Sequence, residues 1–369
     1  MQTYHAINFG LAQQMREVVD SSMDLIVTSP PYPMIEMWDE IMSRQNPAIL
    51  KALTDQDGHL AFELMHCELD KVWDEVNRVT KPGSFVCINI GDATRTVNGN
   101  FQVFSNHTRI VQYFLKMGFS CLPTILWRKP TNSPNKFMGS GMLPAGAYVT
   151  LEHEYILVFR KGGKRVFKSD EEKSNRHQSA FFWEERNQWF SDVWDVRGTN
   201  QKMAAKNSRE RSGAYPFEIP YRLINMYSAK GDYVLDPFLG TGTTTLAAVL
   251  CGRNSIGYEI DENLSETIFE NIDADVVNDL NGIIRERLKN HVNFVEKRLS
   301  GGETEFKHFN RHYQFPVMTS QEVELTFNFL ESVKIEGKAF MIDYSPTPAL
   351  KFAYIPNKIN SSGQQVLGF

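Results

Sequence analysis

Several kinds of segment are missing from this 369-residue chain, and each absence excludes a class of protein. No apolar run reaches the roughly 18 residues that a membrane-spanning helix needs, and the first residues lack a basic flank followed by an apolar signal core. The four cysteines lie far apart without a C-x-x-C pair, which argues against a disulfide framework or a zinc knuckle (Cys67, Cys87, Cys121 and Cys251). We therefore expect a cytoplasmic protein with buried thiols, no membrane contact and no bound metal.

An overall excess of basic residues is also missing. The chain carries 39 Lys and Arg against 44 Asp and Glu, a formal net charge of −5, whereas phosphate binding usually requires a basic surface. The charge is unevenly distributed, because residues 160 to 211 hold 13 basic and 8 acidic side chains, and the other 317 residues carry −10. The average charge therefore does not exclude a nucleic-acid partner.

The chain does contain an alternation of short apolar runs with helical patterns, which predicts an α/β fold with a mostly parallel sheet flanked by helices. Seven strands are expected, at residues 5 to 9, 24 to 27, 84 to 90, 122 to 127, 155 to 159, 233 to 235 and 255 to 258. Helical spacing of apolar residues covers 60 to 79, 104 to 117, 243 to 251 and 263 to 298.

Two segments break this rhythm and set the predicted domain boundaries. Residues 162 to 212 mix polar, basic and aromatic side chains without strand periodicity, which predicts a loop-rich insertion. Residues 301 to 369 are expected to form a small C-terminal extension of unknown role. Residues 1 to 161 and 213 to 300 are expected to form the main domain together.

The strongest chemical signal lies between the last two predicted strands. The first of them ends in the carboxylate of Asp236, and a Gly-x-Gly turn at Gly240 and Gly242 then opens a helix. Such a turn lets a ligand approach the backbone closely, and the helix N-terminus can bind an anion. Glu259 ends the next strand, near the spacing of about 20 residues at which dinucleotide-type folds place an acid on a ribose. An ordinary strand-turn-helix corner is the alternative.

Related phosphate-binding motifs fit this turn badly. A P-loop requires Gly-Lys-Ser/Thr, but Thr243 follows Gly242 here, and Thr245 stands where the dinucleotide fingerprint has its third glycine.

A second signal, Thr-Ser-Pro-Pro-Tyr at residues 28 to 32, directly follows a predicted strand. Two prolines remove two N–H donors, so the turn exposes carbonyl and hydroxyl acceptors beside the Tyr32 ring. This combination suits a planar ligand that carries an amino group, although Pro-Pro after a strand can also be a simple terminator.

Together these runs resemble the amino-group DNA methyltransferases that use S-adenosylmethionine, in the permuted (beta) class whose catalytic motif precedes its cofactor motif. Residues 236 to 244 match the family's D-P-F-x-G-x-G-T-T loop and residues 28 to 32 its T-S-P-P-Y loop. Residues 215 to 220 match the segment before the cofactor strand, and residues 152 to 161 its late strand. The resemblance covers about residues 5 to 262 and implies a Rossmann-like methyltransferase domain, catalytic in residues 1 to 161 and cofactor-binding in residues 213 to 300.

The resemblance also implies roles for individual residues. The implied catalytic residues are Ser29, Pro30, Pro31 and Tyr32, and the implied cofactor-binding residues are Phe217, Asp236, Pro237, Phe238, Gly240, Gly242, Thr243, Thr244 and Glu259. The family often has Gly-Asp after its third strand, with the Asp reading the cofactor adenine. Here Leu11 follows Gly10, so the adenine contact must come from elsewhere.

An exocyclic amine is conjugated with its base ring, so its nitrogen becomes a good nucleophile only when acceptors face its hydrogens. Ser29 Oγ and, by family analogy, the Pro30 carbonyl supply these acceptors, while Tyr32 stacks on a base flipped out of the duplex. In the family, Ser at position 29 goes mostly with cytosine N4 and Asp or Asn with adenine N6, so N4 is the first expectation and N6 the alternative. Methylation at C5 needs a cysteine nucleophile, usually after a proline, and no cysteine here follows one.

The insertion at 162 to 212 matches the position of the family's target recognition region. Its basic residues interleave with aromatic ones, which favours duplex DNA as the partner, although a solvated surface loop is the alternative. The expected DNA contacts are Lys164, Arg165, Arg197, Lys202, Lys206, Arg209 and Arg211, whereas Trp194 and Asp195 are expected to anchor the insertion.

Other interpretations of the chain remain open at this stage. The same cofactor loop occurs in RNA and small-molecule methylases, and a non-catalytic DNA-binding or cofactor-sensing module would share it. Whether the protein is a monomer or a homodimer, and whether a restriction endonuclease accompanies it, are not determined by the sequence.

Overall fold

The computed structural model describes residues 1–129, 139–196, 215–272, 274–301 and 306–349. Its strands are β1 (Gln2–Phe9), β2 (Met23–Thr28), β3 (Thr80–Ile90), β4 (Ala93–Val97), β5 (Asn100–Phe104), β6 (Phe119–Cys121), β7 (Ile125–Arg128), β8 (His153–Lys161), β9 (Val193–Trp194), β10 (Tyr233–Asp236), β11 (Asn254–Glu259), β12 (His308–Phe309), β13 (Pro316–Val317), β14 (Asn328–Glu336) and β15 (Ala339–Pro348).

The α-helices are α1 (Asp39–Gln45), α2 (Pro47–Thr54), α3 (Gly58–Val79), α4 (Asn106–Lys116), α5 (Asp170–Gln178), α6 (Trp183–Trp189), α7 (Glu218–Tyr227), α8 (Thr243–Leu250), α9 (Leu264–Glu270) and α10 (Ala274–Ser300). Short 3-10 turns cover Glu36–Trp38 and Ser320–Glu322. All seven predicted strands are present. The fourth, expected at residues 122 to 127, corresponds to β7, and the short strand β6 precedes the expected range.

Eleven strands form one sheet, in the order β14-β15-β1-β11-β10-β2-β3-β8-β7-β9, with β6 also paired to β8. Strands β1, β11, β10, β2 and β3 run parallel to one another, whereas β8 runs antiparallel to β3. The predicted mostly parallel α/β fold is therefore confirmed. The sheet is wider than the expected seven strands because the insertion and the C-terminal extension each add to an edge.

Helices cover both faces of the sheet, as a sheet buried on two sides requires. Trp73 of α3 and Phe114 of α4 belong to the hydrophobic core on one face, whereas Leu246 of α8 and Leu280 of α10 belong to the core on the other. Every residue of β2 is buried, which places this strand in the middle of the molecule.

The insertion is more ordered than its composition predicts. Its described part contains α5, α6 and β9, and its aromatic side chains Phe182, Trp189 and Trp194 are buried in the core. Arg287 of α10 forms a two-bond ion pair with Glu185 of α6 at 2.6 and 2.7 Å. The described part of the insertion thus combines loops with two short helices, because these aromatic residues pack inward. Trp194 anchors the segment as expected.

The C-terminal extension joins the main sheet through a hairpin. Strand β15 pairs antiparallel with β1, and His5 stacks on Phe340 with ring centroids 4.7 Å apart.

The prediction that all four thiols are buried was wrong for two of them, because Cys67 and Cys121 are exposed.

Two further findings concern the described residues as a whole. They contain no helix that is long and apolar enough to cross a membrane. They also contain no group of three or more His, Cys, Asp or Glu side chains arranged to hold a metal ion.

Candidate active site

The two sequence motifs meet at the carboxyl edge of the parallel strands, where α/β folds place their ligands. The Thr28–Tyr32 loop follows β2, and the Asp236–Gly242 loop follows β10, its neighbour in the sheet. Glu259 ends β11 on the other side of β10. Because β10 and β11 lie between β1 and β2, segments far apart in the chain form one continuous edge.

Asp236 connects the two loops through its buried carboxylate. It accepts hydrogen bonds from Thr28 Oγ1 at 2.6 Å, from Thr244 Oγ1 at 2.5 Å and from the Phe238 N–H at 3.0 Å. The Tyr215 hydroxyl lies 3.4 Å from the same carboxylate and is also bonded to Thr244 Oγ1. Burial raises the pKa of Asp236, and these donors oppose the rise because they stabilise the anion.

The glycines of the second loop hold it open to a ligand. Gly240 and Gly242 have φ of +57° and +90°, values at which a side chain would be strained, and a Cβ on Gly240 would meet no atom within 4 Å. Gly242 precedes α8, whose first two residues are Thr243 and Thr244. The backbone of this turn therefore borders open space at a helix N-terminus.

Glu259 links this turn to the end of the neighbouring strand. Its buried carboxylate accepts from the Gly240 N–H at 2.9 Å and from the Asp261 N–H at 2.8 Å. The Gly10 N–H donates to the Glu259 carbonyl at 2.8 Å, and the Leu11 side chain that follows is exposed. Leu11 has no hydrogen-bonding side chain, so the structure adds no polar adenine contact at this position.

These residues fit S-adenosylmethionine by their chemistry. Carboxylates such as Glu259 suit ribose hydroxyl or ammonium donors, and the open turn at Gly240 suits a close ligand. Phe217 and Phe238 lie half-buried near the edge, while Pro237 is buried. Phe217 stacks on Tyr221 with centroids 5.8 Å apart. The structure thus brings Asp236, Thr244, Gly240 and Glu259 together at one edge of the sheet.

The Thr28–Tyr32 loop is held by a second polar network. Ser29 Oγ lies 3.1 Å from Tyr32 Oη, and Tyr32 Oη donates to Glu154 Oε2 at 2.9 Å. Asn89 Nδ2 donates to Tyr32 Oη at 2.7 Å and to Glu154 Oε2 at 2.6 Å. Burial and the adjacent Glu154 carboxylate raise the pKa of Tyr32 well above its ordinary value, so Tyr32 stays a phenol that donates.

Asn106 of α4 holds the backbone at the end of this loop against the end of β3. Asn106 Nδ2 donates to the Pro33 carbonyl at 3.1 Å and to the Gly91 carbonyl at 3.0 Å, and its oxygen lies 3.0 Å from His66 Nε2. A Cβ on Gly91 would lie 3.0 Å from the Tyr32 ring. The absence of a side chain at Gly91 therefore lets Tyr32 pack close to β3.

Sequence reasoning missed three members of this site: Asn89, Lys129 and Glu154. Each is distant in the chain from the catalytic loop, and Asn89 and Glu154 stand within apolar strand patterns near the carboxyl edge. A polar side chain that interrupts an apolar run at this edge was the available signal, but only the sheet order shows which loop it contacts.

The structure places two of the predicted DNA contacts away from the Thr28–Tyr32 loop. Arg165 donates to both carboxylate oxygens of Asp232 at 2.6 and 2.9 Å, and Asp24 lies 3.7 Å away. These acids stand at the amino ends of β10 and β2, so Arg165 stabilises the edge opposite to the catalytic loop. Its exposed neighbour Lys164 shares that location. The remaining predicted contacts lie outside the described residues (Arg197, Lys202, Lys206, Arg209 and Arg211).

Comparison with known proteins gives concordant matches. Residues 23–270 match the DNA methylase family of N6 and N4 enzymes. The chain is 52% identical over 347 residues to the Type II methyltransferase M.MthZI of Methanothermobacter thermautotrophicus, covering 93% of this chain and 96% of that one. It is 50% identical over 281 residues to the Type II methyltransferase M.MjaI of Methanocaldococcus jannaschii, covering 73% and 91%. Among solved structures it resembles a putative DNA modification methylase of Thermus thermophilus complexed with S-adenosyl-L-methionine, with a TM-score of 0.56 and 30% identity, covering 72% and 92%.

Proposed function

The chain belongs to the DNA methylase family of N6 and N4 enzymes, and from that premise we propose that it methylates the exocyclic N4 amine of cytosine in duplex DNA. It is a DNA methyltransferase that uses S-adenosylmethionine, as its family and its structural relative in complex with that cofactor indicate. The choice of cytosine N4 rests on one observation, the serine at position 29 of the catalytic loop. Adenine N6 is the outcome that would replace it.

The chain's own residues can be assigned to the requirements of this reaction. When bound, S-adenosylmethionine supplies a methyl group whose bond to sulfur breaks as the bond to the amine nitrogen forms. Ser29 Oγ and the Pro30 carbonyl accept the amine hydrogens, so the nitrogen lone pair is released from conjugation. Pro31 restricts the loop backbone, and Tyr32 presents its ring to the flipped base. Asp236 holds the catalytic loop against the cofactor loop through Thr28.

The arrangement of the chain supports two further parts of the proposal. The catalytic motif lies before the cofactor motif in the sequence, yet the two are neighbours in the sheet, as the permuted (beta) class would require. We assign residues 1 to 161 to catalysis, 213 to 300 to cofactor binding and 162 to 212 to target recognition. Arg197, Lys202, Lys206, Arg209 and Arg211 are the proposed phosphate contacts of that last segment.

The two relatives with about half of their residues identical are both named Type II methyltransferases. We propose that this enzyme has the same role, which is modification of a defined DNA sequence beside a restriction endonuclease of matching specificity. Genomic DNA from cells that express the enzyme would then become resistant to such an endonuclease.

The base is tested by incubating the protein with tritiated S-adenosylmethionine and duplex DNA, followed by nucleoside analysis. We expect label in N4-methylcytosine, loss of labelling in Ser29→Ala, and unchanged labelling in Ser120→Ala, which removes an exposed hydroxyl from β6. Label in N6-methyladenine would replace cytosine by adenine as the target. Absence of label in any DNA would refute both assignments.

A further inference from the structure

We propose that Glu154 is the positioning residue that makes Ser29 a hydrogen-bond acceptor toward the target amine and that receives the proton which the amine releases. This inference rests on the proposed function, because it concerns the same reaction. It assigns a role to a residue of β8 that neither sequence motif contains.

The proposal starts from the directions of the hydrogen bonds. A tyrosine hydroxyl has one hydrogen, and Tyr32 donates it to Glu154 Oε2 at 2.9 Å. Ser29 Oγ lies 3.1 Å from Tyr32 Oη, so Ser29 must be the donor of that bond. Once the Ser29 hydrogen points at Tyr32, two lone pairs remain on Ser29 Oγ. Asn89 Nδ2 donates to one of them at 3.4 Å, and the other is left to accept a hydrogen from the base. The carboxylate thus sets the polarity of the whole chain of bonds.

Without the carboxylate, the hydrogen bond between the Tyr32 and Ser29 hydroxyls would be free to reverse its direction. Tyr32 would then donate to Ser29 Oγ, and Ser29 would present a hydrogen instead of a lone pair to the amine. An amine that meets a donor remains conjugated with its ring and gains no nucleophilic character. The reaction therefore needs an acceptor at the far end of this series of hydrogen bonds, and Glu154 is the residue in that position.

Glu154 is held firmly enough to impose this polarity. It is 9% exposed, and its Oε2 also accepts from Asn89 Nδ2 at 2.6 Å. Its other oxygen pairs with the ammonium of Lys129, which lies over the Trp127 ring at 4.5 Å. Trp127 of β7 is the cross-strand partner of Glu154 on β8. Trp127 and Lys129 therefore both come from the strand beside Glu154 and from the residues that directly follow it.

The same series of hydrogen bonds offers a route for the proton that the methylated amine must lose. As the amine proton moves to Ser29 Oγ, the Ser29 proton moves to Tyr32 Oη, and the Tyr32 proton moves to Glu154. Both hydroxyls are restored, and the proton ends on the carboxylate. Lys129 is 43% exposed at its side chain, so the outer oxygen of Glu154 lies next to a group that reaches solvent.

The test compares Glu154→Gln with Glu152→Gln, which removes the same charge from an exposed side chain two residues away. Single-turnover methyl transfer to duplex DNA is measured beside cofactor affinity and thermal unfolding. We expect Glu154→Gln to slow transfer by about 100-fold, the lower range for loss of acid–base assistance, with cofactor affinity unchanged. We expect Glu152→Gln to behave as the wild type.

A second variant separates this role from a merely structural one. Tyr32→Phe keeps the ring but removes the hydroxyl that connects Glu154 to Ser29, so it should slow transfer by a similar factor. In the Tyr32→Phe background, Glu154→Gln should then cost no more than about twofold, because the connection is already broken. If Glu154→Gln unfolds the protein, Tyr32→Phe alone still tests the inference, since it changes no charge, and a wild-type transfer rate in Tyr32→Phe would overturn the inference.

The outcomes are distinct. A wild-type transfer rate in Glu154→Gln would overturn the inference. So would a double variant whose loss of rate equals the product of the losses in the two single variants. In both cases, methyl transfer by the wild-type protein would still uphold the proposed function. If the wild-type protein transfers no methyl group to DNA, the proposed function and the inference fail together.

Discussion

The Thr28 hydroxyl donates to the Asp236 carboxylate over 2.6 Å, although 208 residues separate the two in the chain. Thr28 ends the strand that leads into the proposed catalytic loop, and Asp236 ends the strand that leads into the proposed cofactor loop. One buried hydrogen bond therefore fixes the two loops relative to each other, and with them the proposed sites of the target amine and of the cofactor. A shift in either loop breaks this bond inside the protein, where its loss is costly.

Asp236→Asn is expected to weaken S-adenosylmethionine binding by at least about 10-fold and to lower the free energy of unfolding by about 2 kcal/mol. An amide presents one acceptor oxygen, so it leaves a buried hydroxyl of Thr28 or Thr244 without its partner. Calorimetric titration and urea unfolding measure the two effects. Asp55→Asn, on an exposed helix end, should change neither quantity. Normal cofactor affinity in Asp236→Asn would contradict the role of this carboxylate.

Neutralising the five proposed phosphate contacts together should weaken DNA binding and flatten its salt dependence (Arg197, Lys202, Lys206, Arg209 and Arg211). Each lost phosphate contact should reduce the slope of log K against log salt by about 0.9. Fluorescence anisotropy at several salt concentrations measures the slope. The control neutralises five exposed lysines outside residues 162 to 212 (Lys116, Lys289, Lys297, Lys307 and Lys334) and should keep the slope. Equal slopes for the two variants would place DNA on another surface.

Arg165→Met should destabilise the protein without affecting DNA affinity. It removes a two-bond ion pair and leaves Asp232, which is 7% exposed, without its cation. We expect a loss of about 1 to 3 kcal/mol in the free energy of unfolding, measured by urea denaturation. Lys164→Met alters the neighbouring exposed cation and should leave stability intact. Weaker DNA binding by Arg165→Met at unchanged stability would restore Arg165 to the DNA-binding surface.

Acid should destabilise the protein below pH 6.5 through its buried histidines. Burial lowers the pKa of His5 and of His66 to about 3, from 6.5 in the unfolded chain. Their contribution to stability is complete above pH 6.5 and falls by up to about 1.4 kcal/mol per pH unit for each as pH drops toward 3, because the unfolded chain takes up the protons.

His66→Gln should reduce this pH slope, since glutamine does not titrate. Urea unfolding between pH 7.5 and 4 measures it, and His59→Gln, at an exposed position, should retain the wild-type slope. An unchanged slope in His66→Gln would show that His66 is protonated in the folded protein.

Much of the fold could be predicted because its signals are local. The apolar runs of β2, β3 and β10 and the Gly-x-Gly turn before α8 are readable from neighbouring residues alone, and all appear in the structure. The insertion was harder to interpret, since a mixture of charged and aromatic residues does not show which side chains point inward. Trp189 and Trp194 proved to be core residues.

The sequence by itself determined the two loops to which we assign the chemistry, because Thr28–Tyr32 and Asp236–Thr244 are contiguous motifs. Only the tertiary structure decided what surrounds them. Glu154 reaches Tyr32 because β8 lies beside β3 in antiparallel register, and Arg165 reaches Asp232 because the chain turns back at the opposite edge. Such neighbours depend on strand order and register, which arise from packing of the whole sheet and leave no mark in any single segment of the chain.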